Sequence, residues 1–477
     1  MSDSTTRRFF LGAVTAAAAT RVWGANDKIN VAIIGLGGRG TSHLNTYPRL
    51  ADARVAGLCD IDQAAREKAQ ATLQKITSGE KVKAVEDMRE LFADPGIDAV
   101  SIATPNHWHA LATIWACQAG KDVYSEKPAC YNIHEGLRMV EVANETKRIV
   151  QIGSQHRSMP FKIKAMQAMQ GGLIGKIYMS KGLCFKRRRS IGHAEDSPTP
   201  PGVNWDLFLG PAPLRPFNTL RFKYNWHWFW DTGNGDIGNQ GVHEIGLCRW
   251  ALGDPEWPKS AFASGGKYAY DDDQETPNTQ LASYDYGGRE IVFEVRGILT
   301  GGEGVPVRRM GGGGGGRGGR GGRGGPPGGA PADAPSAAPP AAPPANGVNP
   351  ASIPTNVTVG NLFLGSEGWA SMDDAGFQAY KGESGELVME ERPERGPGSD
   401  GTSLHMENFL AACRSRNVKD LHDPISNAHF SAGLCHLANI SYRTGHKLNL
   451  GPGPRFTGDA EADKLITRQP YRKPYVV

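Results

Sequence analysis

The stretch KINVAIIGLGGRG, residues 28–40, decides the reading of this chain. Ile29 to Ile34 is a short apolar run rich in β-branched residues, the composition of a buried strand. It runs directly into Gly35-Leu36-Gly37-Gly38-Arg39-Gly40, a G-x-G-x-x-G turn. A second strand-like segment, ARVAGLCD, follows and ends at Asp60, 25 residues after Gly35. Strand, glycine turn, helix, strand and a terminal acid form a set that binds a dinucleotide. The first glycine permits the tight turn, the second lets a pyrophosphate approach, the third lets the helix pack on the strand, and the helix N-terminus faces the phosphates. The turn as a whole, Gly35, Gly37, Gly38, Arg39 and Gly40, is therefore assigned to the cofactor. Asp60 is placed to accept hydrogen bonds from the adenosine ribose. A carboxylate there repels a 2′-phosphate, so NAD is expected in preference to NADP.

The alternation continues outward: helices over 63–77, 86–93, 108–119 and 134–147, interleaved with the strands DAVSIATP, DVYSEKP and RIVQIGS. Such βα repetition predicts a parallel sheet. Ligands bind beyond the carboxyl ends of its strands. Thr104-Pro105-Asn106 and Glu126-Lys127-Pro128 close neighbouring strands there and should share a rim, with His109 on the helix that follows.

Length and charge bound the rest. At 477 residues the chain has room for two or three domains. The net charge of +4 is unevenly placed, with +2 in residues 1–25, +3 in 301–351 and about −1 elsewhere. A near-neutral body lacks the basic footprint of a nucleic-acid binder. Cysteines at 59, 117, 130, 184, 248, 413 and 435 form no C-x-x-C pair, so neither a metal site nor a disulfide framework is expected. Residues 1–25 place two arginines before a short alanine-rich apolar run, the layout of an export signal rather than a membrane span. Thr6-Arg7-Arg8-Phe9-Phe10-Leu11 resembles a twin-arginine signal, which implies export of the folded protein, a periplasmic or secreted location and no transmembrane segment after signal removal.

From about residue 156 the pattern changes to strands with glycine turns: IYMSKGLCFKR, QLASYDY, EIVFEVRGIL and VTVGNLFLGSEGWASM. HMENFLAACRS and SNAHFSAGLCHLANISYRTG read as amphipathic helices. Residues 301–351, glycine- and arginine-rich and then proline- and alanine-rich, cannot bury a core and read as a disordered insertion. The expected domains are 27–155, then 156–300 with 352–452, then a tail over 453–477.

Within the second domain, GNGDIGNQGVHEIG, residues 233–246, carries His243 among glycines. A histidine is the usual general base near neutral pH. Upstream, YNWHWFWDTG alternates Trp226 and Trp228 with polar residues and ends near Asp231. Its aromatic faces could stack on sugar rings, or the segment could be a core strand. Arg157 follows the last strand of the first domain, within reach of cofactor or substrate. Arg187–Arg189 is a solvated charge run or a clamp for an acidic sugar.

Taken together, Gly35–Gly40, ATPNHWHALA, EKP and the later Gly-Val-His segment resemble the Gfo/Idh/MocA oxidoreductases. The resemblance spans the chain after the signal, apart from 301–351. It implies an N-terminal Rossmann domain and a C-terminal α+β domain with a large open, mainly antiparallel sheet, through which copies of the chain associate. It implies NAD-dependent oxidation of a hydroxyl on a sugar, cyclitol or glycoside, with Lys127 and His243 at the substrate oxygen. Many members carry an aspartate four residues before the histidine, where this chain has Asn239. Three other readings stay open: a glycoside hydrolase or lyase that oxidises a sugar transiently on tightly bound NAD, an oxidoreductase that cycles two sugars on one cofactor, and a catalytically silent sugar-binding protein.

Overall fold

A computed structural model of the chain describes residues 27–298, 300–303, 358–394, 396, 401–468 and 470–477. The export-signal reading, and the insertion reading over 304–351, concern residues outside this set.

The apolar run after Lys28 forms β1 (Ile29–Ile34), buried along almost its whole length. It lies at the centre of a six-stranded parallel sheet with β2 (Ala53–Cys59), β3 (Lys83–Val85), β4 (Ala99–Ile102), β5 (Asp122–Ser125) and β6 (Val150–Ile152) in the order β3-β2-β1-β4-β5-β6. The order reverses at β1, which pairs with β2 on one side and β4 on the other. That switch point opens a crevice at the carboxyl ends of the strands. The crossovers are α1 (Gly38–Thr46), α2 (Gln63–Ile76), the single turn α3 (Arg89–Phe92), α4 (Asn106–Gln118) and α5 (Ile133–Thr146). Their starts follow local chemistry: the Asp62 carboxylate accepts from Ala64 N, and the Asn132 side chain accepts from Glu135 N. Each satisfies one of the free N–H groups that open a helix.

After α6 (Pro160–Gln170) the chain enters a nine-stranded sheet, with a short helix α7 (Trp205–Leu209) in the connection that follows its first strand. Its strands are β7 (Ile177–Cys184), β8 (Ser260–Gly266), β9 (Thr279–Asp285), β10 (Glu290–Arg296), β11 (Val359–Gly365), β12 (Gly368–Met372), β13 (Phe377–Lys381), β14 (Glu386–Glu391) and β15 (Leu448–Asn449). They run in the order β14-β13-β12-β11-β7-β10-β9-β8-β15. Every pairing is antiparallel except β7 with β10. Burial alternates along β9 and β10, so one face is covered and the other open. The covered face packs against α8 (Val242–Ala251) and α10 (Ile425–Thr444) in a core that includes Phe293, Phe363, Ile245 and Leu434. Phe262 and Leu281 stand on the strands with 42% and 47% of their surface exposed.

The second-domain boundaries need an amendment. Helix α9 (Thr402–Ser415), expected within the 352–452 block, packs into the first sheet instead: Met406, Phe409 and Leu410 share a core with Ile29, Val31 and Tyr124. The tail is likewise packed, with Ile466 in the second core and Tyr475 against Trp108. These returning elements fasten the two sheets together and set the site between them.

Candidate active site

The glycine turn is shaped to receive a dinucleotide. Gly35 has φ +84°, and a Cβ there would lie 2.6 Å from the Ala103 carbonyl oxygen. A Cβ on Gly40 would lie 1.8 Å from the Gly35 carbonyl oxygen, so the strand–helix approach excludes any side chain. Gly37 and Gly38 face open space, with nothing within 4 Å of a Cβ on either. Helix α1 starts there with no side-chain cap, which leaves its first N–H groups for an anion. Asp60 ends β2 and accepts from Leu36 N at 2.6 Å and Asp62 N at 2.9 Å. It thereby pins the glycine turn from the side where a ribose would sit. The Thr104 hydroxyl, at the end of β4, is buried and has no hydrogen-bond partner among the described residues. A cradle a side chain would fill, an uncapped helix start, a placed carboxylate and an orphaned hydroxyl all fit NAD.

Glu126 holds this turn to the next part of the site. Its Oε1 accepts from Arg39 Nε at 2.6 Å and lies 3.0 Å from His43 Nε2, whose other ring nitrogen meets Ser101 Oγ at 2.9 Å. Burial pushes the Glu126 carboxyl up, but Arg39 and His43 outweigh it and hold the group well below the usual carboxylate range. Arg39 was expected to serve the cofactor directly. The structure commits its Nε to Glu126, so it acts first as a brace across the rim.

Lys127, the next residue, points the other way. Its Nζ donates to the backbone carbonyl oxygen of Asn239 at 2.7 Å. Burial lowers its pKa, partly offset by Glu126. The glycine-rich stretch that supplies this carbonyl is not plain α-helix: Ile237–Gly241 forms a π-helical turn that leads into α8. Such wide turns are found where a helix must present a functional group. His243 follows at the start of α8, half-buried, its ring making no hydrogen bond to another described residue. Its ring centroid lies 5.0 Å from that of His156. Burial, then Lys127 and His156, push its pKa well below the ordinary value. The imidazole is therefore neutral at pH 7 and able to accept a proton.

Asn239 does not reach His243 through its side chain. Its Nδ2 lies 3.3 Å from Asp236 Oδ1 and 3.4 Å from the Tyr224 hydroxyl. Asp236, 3% exposed, takes a two-point bond from Arg188, Nε to Oδ2 at 2.8 Å and Nη2 to Oδ1 at 2.6 Å. Arg188 is thus part of the site rather than of a solvated run. Its guanidinium also lies over the Trp228 ring, 5.3 Å from the centroid. Glu244, behind His243, is buried; burial pushes its carboxyl up to about 8, and Gln240 Nε2 donates to it at 3.1 Å.

Other anticipated residues are structural here. His109 ties the two rim loops together, Nδ1 at 2.7 Å from the Pro128 carbonyl oxygen and Nε2 at 2.9 Å from that of Thr104. Pro105 precedes α4, and Asn106 donates to Asn234 Oδ1 at 3.0 Å, joining the rim to the glycine-rich stretch. Arg157 is corrected: it is buried, with Nη1 at 2.9 Å and Nη2 at 2.6 Å from the Asp254 carboxylate. Its charge is paired inside the protein, with Asp254 and beside Asp423. Asp231 pairs with Arg215. Residues Asn225–Trp228 form a 3-10 turn rather than a strand, with Trp226 stacked on His227 at 3.6 Å. Sequence reasoning missed His156, Tyr224 and Asn234. Only His156 left a trace, as a second histidine just after a strand that ends at the rim.

Comparison with known proteins fits this geometry. Residues 29–154 match the family described as an oxidoreductase family with an NAD-binding Rossmann fold. Residues 162–284 match the C-terminal α/β domain of the same family. An inositol 2-dehydrogenase of Saccharopolyspora erythraea is 38% identical over 152 residues, covering 31% of this chain and 43% of that protein. A levoglucosan dehydrogenase of Pseudarthrobacter phenanthrenivorans is 25% identical over 238 residues, covering 48% and 52%. The chain thus spans about half the length of these curated relatives. Among solved structures, levoglucosan dehydrogenase with NADH and levoglucosan superposes with a TM-score of 0.60 at 15% identity, covering 89% of this chain and 99% of that one. WlbA dehydrogenase of Bordetella pertussis with NADH and UDP-GlcNAcA gives 0.59 at 18%, covering 90% and 99%. At such identities the likeness is one of fold.

Proposed function

Because the chain belongs to the Gfo/Idh/MocA oxidoreductase family, we propose that it is an NAD-dependent dehydrogenase of a ring hydroxyl on a sugar or cyclitol. One observation carries this reading. Lys127, from the rim of the first sheet, meets the π-turn that delivers His243, so an ammonium and a neutral imidazole converge beside the glycine turn. A substrate hydroxyl bound between them would give its proton to His243, while Lys127 donates a hydrogen bond to the same oxygen as charge builds on it. Burial of both groups strengthens that bond. When bound, NAD supplies the acceptor for the hydride from the neighbouring carbon. The Arg188–Asp236 pair and Asn239 form the adjoining wall, where their remaining polar atoms can orient other hydroxyls.

The test is direct. Purified protein is incubated with NAD and a panel of myo-inositol, scyllo-inositol, levoglucosan and UDP-GlcNAcA, with absorbance at 340 nm and product analysis in parallel. The expected result is NADH formation with at least one polyol. His243→Ala should then lower turnover by roughly 10²–10⁴-fold, the factor a positioned base supplies. Full turnover in His243→Ala would refute the assignment. Cleavage of a glycoside without NADH accumulation would replace it by transient oxidation on retained NAD. The reading includes export of the folded protein, supported by the twin arginines at 7 and 8, and association through the open face of the nine-stranded sheet. Fractionation of cells and the mass of the protein in solution test these two points.

A further inference from the structure

The base in this site lacks the carboxylate that would stabilise its protonated form, and the proton it takes must leave a buried place. A path is present. His156, on the turn Gln155–Ser158 after β6, has a buried Nδ1 without a hydrogen-bond partner among the described residues. Its ring lies beside that of His243, centroids 5.0 Å apart, within direct or one-water reach. On its other side Nε2 lies 3.3 Å from Asp374 Oδ1. Asp374 sits on the turn between β12 and β13, with 72% of its side chain exposed, and Lys162 Nζ donates to the same Oδ1 at 2.9 Å.

We infer that His156 and Asp374 form a relay that carries the substrate proton from His243 to solvent. The Asp374 carboxylate, 3.3 Å from Nε2 at ion-pair distance rather than in a formed hydrogen bond, favours the tautomer with the proton on Nε2, which leaves a lone pair on Nδ1 on the side without a partner; a small turn of the ring completes the contact for transfer. The imidazolium of His243 gives its proton to that Nδ1. The Nε2 proton passes to Asp374, which releases it to water, and a turn of the His156 ring restores the starting tautomer. One proton leaves the substrate hydroxyl and one reaches the solvent; no electrons move on this path. In the reverse reaction it delivers a proton instead. The groups facing His156 are His243 from α8, Lys162 from α6, Asp374 from the β12–β13 turn, Lys127 from the end of β5 and His405 from α9. Burial and Lys162 hold its pKa down to about 3 despite Asp374. Its protonated form is therefore short-lived and hands the proton on rather than storing it. Although most of the Asp374 side-chain surface is exposed, the protein packed around its turn pushes the carboxyl up; Lys162 and His156 outweigh this and keep it below the ordinary value, so the acceptor is ionised at neutral pH.

The relay rests on the dehydrogenase reading above. Its test is a single turnover with NAD and whichever member of the panel is oxidised, in dilute buffer with phenol red. NADH and released proton are recorded separately. In the unmodified protein the two signals should rise together. In His156→Ala the proton should lag and kcat fall by roughly 10²-fold, the low end of what a positioned proton acceptor supplies. KM should be nearly unchanged, and added imidazole should restore the rate. Asp374→Asn keeps an oxygen for Lys162 Nζ and is carried forward once its melting temperature matches the unmodified protein; it should slow proton release by a smaller factor that rising buffer concentration relieves. Wild-type rates and coincident signals in both variants, with His243→Ala still crippled, would overturn the relay alone. A loss in His156→Ala that imidazole does not restore, with Asp374→Asn normal, would make His156 a packing residue and also overturn it. Full turnover in His243→Ala, or no oxidation of any panel member, would remove the dehydrogenase reading and the relay with it.

Discussion

Glu126 offers the sharpest test of how the site is held together. Its Oε1 receives both Arg39 Nε at 2.6 Å and His43 Nε2 at 3.0 Å, and the carboxylate is 5% exposed. Gly153 leaves the room for it, since a Cβ there would lie 2.7 Å from Oε1. Hydrogen bonds to a charged group contribute about 1.5–3 kcal/mol and neutral ones about 0.5–1.5. Glu126→Gln keeps the shape but removes charge from two bonds, so it should cost about 2–3 kcal/mol of stability. Glu126→Ala removes the acceptor altogether, leaving the buried His43 without this bond and Arg39 with its other contacts, which should cost at least as much, about 3 kcal/mol. The pH dependence has a definite sign. The folded carboxyl titrates well below its unfolded value of 4.5, so its contribution is complete above that value and is lost as pH falls through the lower, folded one. The gap between the unmodified protein and Glu126→Gln in urea unfolding should therefore be constant from pH 7 down to about 5 and then close in stronger acid. A gap under about 0.5 kcal/mol at pH 7, the scale of an ordinary surface change, would refute the argument that this pair braces the rim.

Asp60→Ala should narrow the preference for NAD over NADP in equilibrium binding; equal affinity for both in the unmodified protein would contradict the ribose role. Glu135, buried behind Asn132 and Tyr471, has its carboxyl raised to about 7 by burial. A raised folded pKa means that stability falls as pH rises from 4.5 to 7, so Glu135→Gln should gain about 3 kcal/mol at pH 8 and nothing at pH 4, read from melting curves. Asn239→Asp would set a second carboxylate about 3.3 Å from Asp236; the added negative charge favours the protonated form of the neighbouring imidazole, so it should lower turnover at pH 7 and move the acid limb of the pH profile to higher pH; a rise in turnover at pH 7 would contradict this.

The first sheet was legible because each of its signals is local. A β-branched run, glycines demanded by a positive φ and by a close approach, and an acid at a fixed distance are constraints within one βαβ unit. Motifs at the ends of elements also gave the positions of Lys127, just after β5, and His243, at the start of α8, while their roles belong to the proposed function. What escaped depends on long-range pairing. Arg188 reaches Asp236 from 48 residues away, and His156 meets Asp374 only because β12 and β13 turn beside the start of α6. The alternating aromatics of 224–233 carry a strand-like period, yet they are anchored one by one, Trp228 beneath Arg188 and Trp226 on His227, so a 3-10 turn serves as well. Arg157 misled because a buried arginine beside the rim looks the same in sequence whether it holds a ligand or, as here, Asp254. Helix α9 carries an amphipathic pattern that fits either core; only its packing assigns it to the first.

The asparagine at 239 then has a physical explanation. The neighbouring carboxylate of this site is Asp236, engaged by Arg188 at the residue immediately before the π-helical segment. With that charge in place, position 239 needs a donor, and Asn239 supplies one toward Asp236 while its carbonyl holds Lys127. A second acid would leave two carboxylates in contact with one guanidinium. His243 is left without an anionic neighbour on its own helix, so its neutral form is favoured, which is the form a base requires. The charge that must balance the departing proton is instead found across the gap, on the exposed turn that carries Asp374, with His156 between. In the proposed relay, the base and the anion that receives its proton thus come from different elements of the second domain, α8 and the β12–β13 turn.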